Sequence, residues 1–490
     1  MNMAGPAAVV RGRASGPLIA IGLLTLFAAY RFAQPVSGDQ AFGIIIGQRI
    51  RNGAVVYRDV WDIRQPFSYY WYAAVGWLFG AGTVGLRIGE LLWQAALAWL
   101  IARDCITRGG TRRLAIVTAC ACVAPIFVIT VPNDVAQPET LIAFPLYLAL
   151  RAVALPGRQP LRPRTALALG VGTIGIALFK ILYAPIPLLL VSLWVIHHRP
   201  ARGEVLRAAR WYILGVVAST ALVIAYFAQH GVLGWVVHTW FVQGPAMRRI
   251  TPPPLRRLVF GGGRLLLLCA PLTVATLVGL RRLRRCDLWQ VSAAVWLVAA
   301  GLVLLPQQWW AYSMLSLIAP AGLLAADTIS EWVRTAPRMA IAAAVVAGLA
   351  IASDREYAGA LLRHGPSPSA IAHDMDPAES DRDHANRLLT GSDHSGLDVY
   401  GFCNPTILLD LPVAQHISIH GWSPEFYDDT TWARLQRELA ADPPTFIIVD
   451  EFSARYVRDR APAMWAWLTS GYDDDGQLAP GLTVLRHRGG

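Results

Sequence analysis

The sequence predicts a polytopic α-helical membrane protein with about eleven transmembrane helices and a small α/β domain at its C-terminal end. Of its 490 residues, 55% are hydrophobic and only 15% are charged, a composition too apolar for a soluble globular protein. Apolar runs of roughly 20 residues, the length needed to cross ~30 Å of hydrocarbon, recur as far as residue 353. Beyond that point, short apolar runs alternate with polar turns, which is typical of an α/β domain.

The predicted spans lie at about residues 17–35, 84–102, 114–132, 139–155, 165–179, 181–196, 211–228, 264–280, 288–305, 311–326 and 337–353. A shorter apolar run at 67–80 is interpreted as an interfacial helix, because this choice places the N-terminal arginines and five basic loops on the cytoplasmic side, as the positive-inside rule favours. The basic 229–263 loop then lies outside, against this trend. The N-terminus is then cytoplasmic. The first external loop (38–66), the turn at 132–139, the 229–263 loop and the tail lie outside the inner (plasma) membrane.

Three domains are predicted: a transmembrane domain at 1–353, a linker at 354–395 and an extracytoplasmic α/β domain at 396–490. From Asp354 onward, 21 acidic and 11 basic residues give a charge of −10, against +21 for the preceding 353 residues. The strands predicted for the tail are Leu397–Phe402, His416–Ile419, Phe446–Val449 and Leu482–Leu485. The helices predicted there are Thr430–Ala441, capped by Asp429 or Thr430, and Ala463–Ser470.

Several function classes are disfavoured by the pattern of residues. The basic excess lies in short loops between spans, so it indicates membrane topology and not nucleic-acid binding. Cys403 is the only cysteine of the tail, which excludes a disulfide framework there. His416 and His420 share one face of a predicted strand, but no third metal ligand accompanies them, and a structural role is favoured.

The first external loop holds the densest set of candidate functional residues. Asp39 follows the first span directly and precedes an apolar and basic segment, Ala41–Asn52, whose pattern predicts a short helix lying along the membrane interface. Asn52-Gly53 is a natural stop for this helix. Ser37-Gly38-Asp39-Gln40 also fits a Ser-x-x-Gln capping box, so a purely structural role for Asp39 stays open.

This loop resembles the first external loop of the C-type glycosyltransferases, in particular the protein O-mannosyltransferases and the lipid A aminoarabinose transferases. These families have an acid just after the first span, and Asp39 stands at that position here. Their Gly-x-x-x-Tyr-x-Asp stretch corresponds to residues 53–59, and their Asp-x-Lys-Pro-Pro-like element corresponds to Asp62-Ile63-Arg64-Gln65-Pro66. Gln40 and Gln65 depart from the family pattern. The resemblance implies sugar transfer from a polyprenyl-phosphate donor to an extracytoplasmic lipid, glycan or protein acceptor by inverting displacement, with Asp39 as the catalytic base.

Four residues are candidate ligands of the donor phosphate. Lys180 is the only lysine of the chain, and because burying its charge in the membrane is costly, it should lie at an interface or pair with an anion. The resemblance implies a phosphate contact for Lys180 and for Arg64, whose guanidinium suits bidentate phosphate binding. Arg256 lies in the basic 229–263 loop, whose external arginines suit an anionic lipid-linked donor and, equally, anionic lipid headgroups. The resemblance also implies Tyr312, from a His-Tyr...Pro element of the family whose histidine is absent here.

Further carboxylates flank the external loops. Asp134 and Glu139 lie on either side of the turn at 132–139. In the resembling family, an acid in this loop lies near the acceptor or a metal, so Asp134 is a second catalytic candidate and Glu139 and Asp62 are candidates for an acceptor or metal loop. The metal itself is unknown, and a divalent cation is left open as a cofactor.

Two alternatives come from other classes. A transporter or flippase of lipid-linked sugars should carry ionisable groups near the middle of the membrane, where Glu90 is the main acid. A polysaccharide polymerase or ligase would take a pyrophosphate-linked oligosaccharide instead. The gathering of candidate residues at external span ends favours chemistry at one membrane face.

Overall fold

The computed structural model describes residues 18–25, 28, 32, 34–129, 136–155, 161–283, 287–335, 355–365, 367, 370, 383, 398–409, 411, 413 and 416–488, and residues 18–25 are helical. The helices that follow are α1 (Gly38–Arg51), α2 (Phe67–Phe79), α3 (Thr83–Thr107), α4 (Arg112–Ile129), α5 (Pro138–Leu141), α6 (Ala143–Ala154), α7 (Pro163–Phe179), α8 (Pro185–His198), α9 (Arg202–Gln229), α10 (Leu233–Val237), α11 (Gly244–Ile250), α12 (Leu255–Leu268), α13 (Ala270–Arg281), α14 (Leu288–Leu304), α15 (Ile318–Thr335), α16 (Arg355–His364), α17 (Asp429–Ala441), α18 (Glu451–Arg460) and α19 (Pro462–Gly471). The strands are β1 (Val399–Phe402), β2 (Phe446–Asp450), β3 (Tyr472–Ala479) and β4 (Leu482–His487).

The predicted polytopic helical architecture is confirmed. Four helical segments of the described residues are long and apolar enough to cross a membrane: 83–107, 181–198, 202–229 and 311–335. Helices α12 and α13, bent by 85° at Cys269, add a fifth if they form one span, and α7 and α14 are shorter apolar helices. The total of about eleven stays a prediction, since the spans at 17–35 and 337–353 lie partly or wholly outside the described residues.

Contacts divide the chain into two compact units. The helical unit comprises 1–33, 87–223 and 253–371, and the loop-and-tail unit comprises 34–86, 224–252 and 372–490. The loop-and-tail unit therefore joins the first external loop and part of the 229–263 region to the C-terminal sheet. The domain boundaries predicted at 353/354 and 395/396 lie outside the described residues, and they stay predictions.

The sheet of the loop-and-tail unit has the order β1-β2-β4-β3, with β1 and β2 parallel and the other neighbours antiparallel. One face packs a hydrophobic core that includes Val399, Phe446, Ile448 and Val484. Ile45 of α1 belongs to this same core. The first external loop is thus built into the tail domain by burial of apolar side chains.

Helix α1 begins three residues earlier than predicted, so Asp39 lies in its first turn. Gln40 Oε1 accepts the backbone N–H of Ser37 at 3.2 Å, which is the reciprocal contact of a capping box. A carboxylate in the first turn and arginines in the last complement the helix dipole. The helix ends at Asn52-Gly53, as predicted, and Gly53 takes the left-handed φ of +95° that favours glycine.

Several details of the prediction are wrong. Residues 416–419 form no strand: Ile419 makes only an isolated bridge to Trp61. The cap of α17 is Asp428, whose side chain accepts the Thr431 N–H, and not Asp429 or Thr430. The region 229–263, predicted as a loop, is mostly helical, with a π-helical segment between α10 and α11.

Arg49 of α1 ties the first loop to the tail from a buried position. Its guanidinium donates to Asp59 O at 2.7 Å and to Ile417 O at 3.1 Å. Burial lowers the pKa of Arg49 to about 10, so the group still carries its charge at neutral pH.

Replacing Arg49 by methionine is expected to destabilise the protein by about 2–3 kcal/mol, because two carbonyl groups lose a charged donor. Thermal unfolding of the detergent-solubilised protein checks this, with Arg437→Met on the exposed face of α17 as the matched control. Equal unfolding temperatures for both variants would show that these contacts do not stabilise the fold.

Candidate active site

Both oxygens of the Asp39 carboxylate are held by donors. Arg64 Nη2 lies 2.7 Å from Oδ2, and the indole Nε1 of Trp422 donates to Oδ1 at 3.0 Å. The Asp39 side chain is 16% exposed, so it is sheltered but still reachable from solvent. A carboxylate fixed in this way, at the start of a helix, can accept a proton from a nucleophile brought to it.

Asp62 lies beside this pair and is more deeply buried. Its Oδ1 accepts the backbone N–H of Ile63 at 2.8 Å and lies 3.4 Å from His420 Nε2, while Oδ2 accepts the Tyr69 hydroxyl and lies 4.0 Å from Arg64 Nε. Burial alone would raise the pKa of Asp62. The contact with His420 and the charge of Arg64 outweigh it and hold the pKa below its usual range, so Asp62 is ionised at neutral pH.

Arg64 therefore lies between two carboxylates, and its backbone is fixed by Tyr57. The Tyr57 hydroxyl donates to Arg64 O at 2.8 Å and accepts the indole N–H of Trp240 at 2.7 Å. Tyr57 is fully buried and takes an unusual positive φ of +72°, a strained conformation that persists only where surrounding contacts impose it. The buried Tyr57 hydroxyl, through its hydrogen bond to Arg64 O, fixes the backbone position of Arg64.

Residues of the tail also form hydrogen bonds with the first external loop. The Trp61 backbone N–H donates to Ser418 O at 2.8 Å. Arg434 of α17 donates to the carbonyl groups of Tyr57 and Arg58 at 3.3 and 2.9 Å. Loops carry functional groups well when a rigid scaffold positions them, and here the tail helps to form that scaffold.

Lys180 forms a second cluster, in the helical unit. It lies at the break between α7 and the 3₁₀ turn Ile181–Tyr183, with an extended backbone. Its ammonium group forms an ion pair with Glu139 and donates to Gln307 Oε1 at 2.7 Å. The expectation that Lys180 pairs with an anion is met by Glu139, which is 1% exposed. Glu139 is therefore engaged with a cation.

The remaining candidates are less clearly placed. Asp134 lies outside the described residues. Arg256 is exposed on α12, and its neighbour Arg257 lies over the Trp310 ring at 3.8 Å. Tyr312 stacks near Trp310, with ring centroids 6.5 Å apart, and packs against the core of the helical unit. The structure therefore groups Asp39, Asp62 and Arg64, and separately Lys180 with Glu139.

No group of three or more His, Cys, Asp or Glu side chains suited to a metal ion occurs among the residues described. Asp39 and Asp62 are held by cationic and neutral donors, an arrangement that suits an ionised base better than a metal ligand. The divalent cation left open by the sequence stays a prediction.

Glu90, the acid that would mark a transport path, has a structural contact. It is 2% exposed within α3, and its Oε1 accepts the backbone N–H of Ala136 at 2.9 Å. Ala136 has a positive φ of +52°. Glu90 thus fixes the backbone at the end of the 132–139 turn.

Sequence reasoning missed His420, Trp422 and Gln307 as members of these clusters. Trp422 is 383 residues from Asp39 in the chain, and Gln307 is 127 residues from Lys180. No local pattern pairs residues so far apart. One local signal was usable: a tryptophan at a polar turn, in His420-Gly421-Trp422, indicates that its indole N–H has a hydrogen-bond partner.

No protein-family model and no curated protein sequence matches the chain. Among solved structures, ArnT from Cupriavidus metallidurans bound to undecaprenyl phosphate superposes with a TM-score of 0.62 at 14% identity, covering 98% of both chains. Its apo state gives a TM-score of 0.61 at 13% identity over 96% of this chain and 98% of that chain. The oligosaccharyltransferase AglB from Archaeoglobus fulgidus gives 0.46 at 14% identity, over 91% of this chain and 72% of its own.

The agreement with ArnT extends over the full length of both chains and includes the C-terminal domain with its small sheet. The chain therefore has the C-type glycosyltransferase fold, as the resemblance stated from its sequence implies.

Proposed function

We propose that this protein is a membrane glycosyltransferase that moves a sugar from a polyprenyl-phosphate donor to an acceptor at the extracytoplasmic face of the inner membrane. The observation that carries the proposal is the Asp39 carboxylate, held by Arg64 and Trp422 beside the ionised Asp62. The fold shared with ArnT supports it, since that protein is bound to undecaprenyl phosphate in one of its structures.

The reaction needs a base more than an acid. A polyprenyl phosphate leaves as a stable anion, so the bond from the anomeric carbon to the phosphate oxygen breaks without prior protonation. Asp39 takes the proton of the acceptor nucleophile while the new bond forms on the opposite face of the sugar, and a nearby negative charge stabilises the oxocarbenium-like transition state.

The leaving phosphate needs cations. Arg64, which forms an ion pair with Asp39, is the first proposed ligand, because a guanidinium suits a bidentate contact with phosphate. Lys180, oriented by Glu139 and Gln307, is the second proposed ligand. Arg256 and Tyr312 are proposed to lie along the path of the donor, and Asp134 near the acceptor.

The activity is tested by incubating the purified protein with a panel of radiolabelled polyprenyl-monophosphate sugars and a membrane extract as the source of acceptors. We expect label to move from at least one donor to the extract, and the product to have the anomeric configuration opposite to that of the donor. Transfer with retained configuration would overturn the single displacement. Transfer only from pyrophosphate-linked oligosaccharides would favour a polymerase or ligase.

A further inference from the structure

The tail segment His420-Gly421-Trp422 contacts both carboxylates of the first loop. Trp422 Nε1 donates to Asp39 Oδ1 at 3.0 Å, and His420 Nε2 lies 3.4 Å from Asp62 Oδ1. One short segment of the C-terminal domain therefore places one ring against each acid of the candidate site.

The backbone of this segment selects the tautomer of His420. The backbone N–H of Trp422 donates to His420 Nδ1 at 3.0 Å. A ring nitrogen that accepts a hydrogen bond carries no proton, so in the neutral imidazole the proton lies on Nε2, the atom that faces Asp62. His420 thus turns Nε2, which lies 3.4 Å from Asp62 Oδ1, toward that carboxylate.

The indole of Trp422 fixes one oxygen of the Asp39 carboxylate. An indole N–H can only donate, so it binds Asp39 as an acceptor and fixes one oxygen while Arg64 fixes the other. The ring also packs closely on Gly38: a Cβ there would lie 2.8 Å from Trp422 Cζ2 and 2.9 Å from Asn404 Oδ1. The glycine before Asp39 is therefore explained by contact with the tail.

The segment is itself held firmly. The Tyr427 hydroxyl, which is fully buried, donates to His420 O and lies 3.2 Å from Trp422 O. Just before the segment, Ile417 and Ser418 accept hydrogen bonds from the first loop through their carbonyl groups. Rings on such an anchored turn are preorganised, and preorganised donors hold a catalytic group without reorganising during the reaction.

We propose that Trp422 and His420 are positioning residues, which hold Asp39 and Asp62 in their reactive arrangement, and that the C-terminal domain thereby completes the active site. The inference rests on the proposed role of Asp39 as the base. Both rings contact the acids directly, so we expect their loss to lower the rate of the chemical step more than it changes donor binding.

The test compares Trp422→Phe, His420→Ala and His420→Gln in the full-length protein. Trp422→Phe keeps an aromatic ring but loses the N–H, and we expect kcat to fall by about tenfold to a hundredfold with the KM for the donor within about twofold, since a hydrogen bond to a charged group is lost. His420→Ala should lower kcat by about tenfold, and His420→Gln, whose amide N–H can replace Nε2–H, should recover most of it.

Trp465→Phe on α19 and His416→Gln, an exposed position four residues before His420, are the matched controls and should keep the wild-type kcat. A folded Trp422→Phe protein with wild-type kcat would overturn the inference. A rise in donor KM at constant kcat would also overturn it, as would an equal loss in the alanine and glutamine variants of His420.

A second measurement separates this inference from the proposed function. In protein labelled with 5-fluorotryptophan, the resonance that disappears in Trp422→Phe belongs to Trp422, and Asp39→Asn should shift it with no donor present. An unshifted resonance overturns the contact. If Asp39→Asn keeps full transfer, the base assignment fails and the inference fails with it; if Asp39→Asn abolishes transfer and Trp422→Phe does not lower it, only the inference fails.

Discussion

Asp39→Asn is expected to lower kcat for sugar transfer by about a thousandfold, since a positioned general base contributes about 10² to 10⁴ in rate. Asparagine has nearly the same size as aspartate, and its amide oxygen can still accept the Trp422 N–H. It cannot take up the proton of the acceptor. The loss should therefore appear in the chemical step.

Donor binding should survive this substitution. Asp39 forms an ion pair with Arg64 and so competes with phosphate for the guanidinium. Removing the charge at Asp39 weakens the competition for Arg64, and the KM for the donor should stay within about threefold of the wild-type value or fall.

Initial rates at varied donor concentration, with equal amounts of folded protein, measure both quantities. Asp429→Asn, on an exposed carboxylate in the first turn of α17, makes the same chemical change away from the site and should leave the rate unaltered. Full transfer by Asp39→Asn would leave Asp39 with only the interaction with the helix dipole that its place in the first turn of α1 also permits.

The parts predicted well from the sequence are those set by local patterns. Helix α1 follows from an apolar and basic stripe ended by Asn52-Gly53, and β2 follows from the apolar run at Phe446. The grouping of Asp39, Asp62 and Arg64 within one short loop was also predictable, because the resemblance to the C-type glycosyltransferases rests on those same residues.

The parts predicted poorly depend on distant contacts. Strand β3 includes Asp473, Asp474 and Asp475, residues with low β-propensity, and it forms because β4 pairs with it along an exposed edge. Residues 416–419 alternate like a strand, yet backbone and side-chain contacts to the first loop and α17 fix them instead. Tertiary contacts override local preference in both segments.

The role of the C-terminal domain also depends on distant contacts, so local sequence patterns do not predict it. Its sequence gives no indication of a catalytic role, because the roles proposed for His420 and Trp422 depend on the distant acids that they contact. A tail that is acidic overall nevertheless places an indole N–H and an imidazole ring against two carboxylates. The proposed role of the tail is therefore a property of the folded unit.

Lys180→Met is expected to raise the KM for the donor by about tenfold to a hundredfold, as loss of a charged contact to phosphate would. An ammonium group has three N–H donors. Its hydrogen-bond partners in the described part of the chain are Glu139 and Gln307, and we expect the donor phosphate to be a third. Methionine has a similar length and no charge.

The same substitution is also expected to destabilise the protein. Glu139 is 1% exposed, so without Lys180 it becomes a buried charge with no ion-pair partner, at a cost of about 3–5 kcal/mol. A change in activity in the single variant therefore mixes two effects: lost donor binding and lost stability.

The double variant Lys180→Met with Glu139→Gln separates them. Removing both charges should restore most of the thermal stability, because replacing a buried ion pair by neutral groups of similar volume is often nearly neutral. The donor KM should stay raised if Lys180 contacts phosphate. If the double variant regains both stability and the wild-type KM, then Lys180 serves only to neutralise Glu139, and the donor phosphate must be held by other cations such as Arg64.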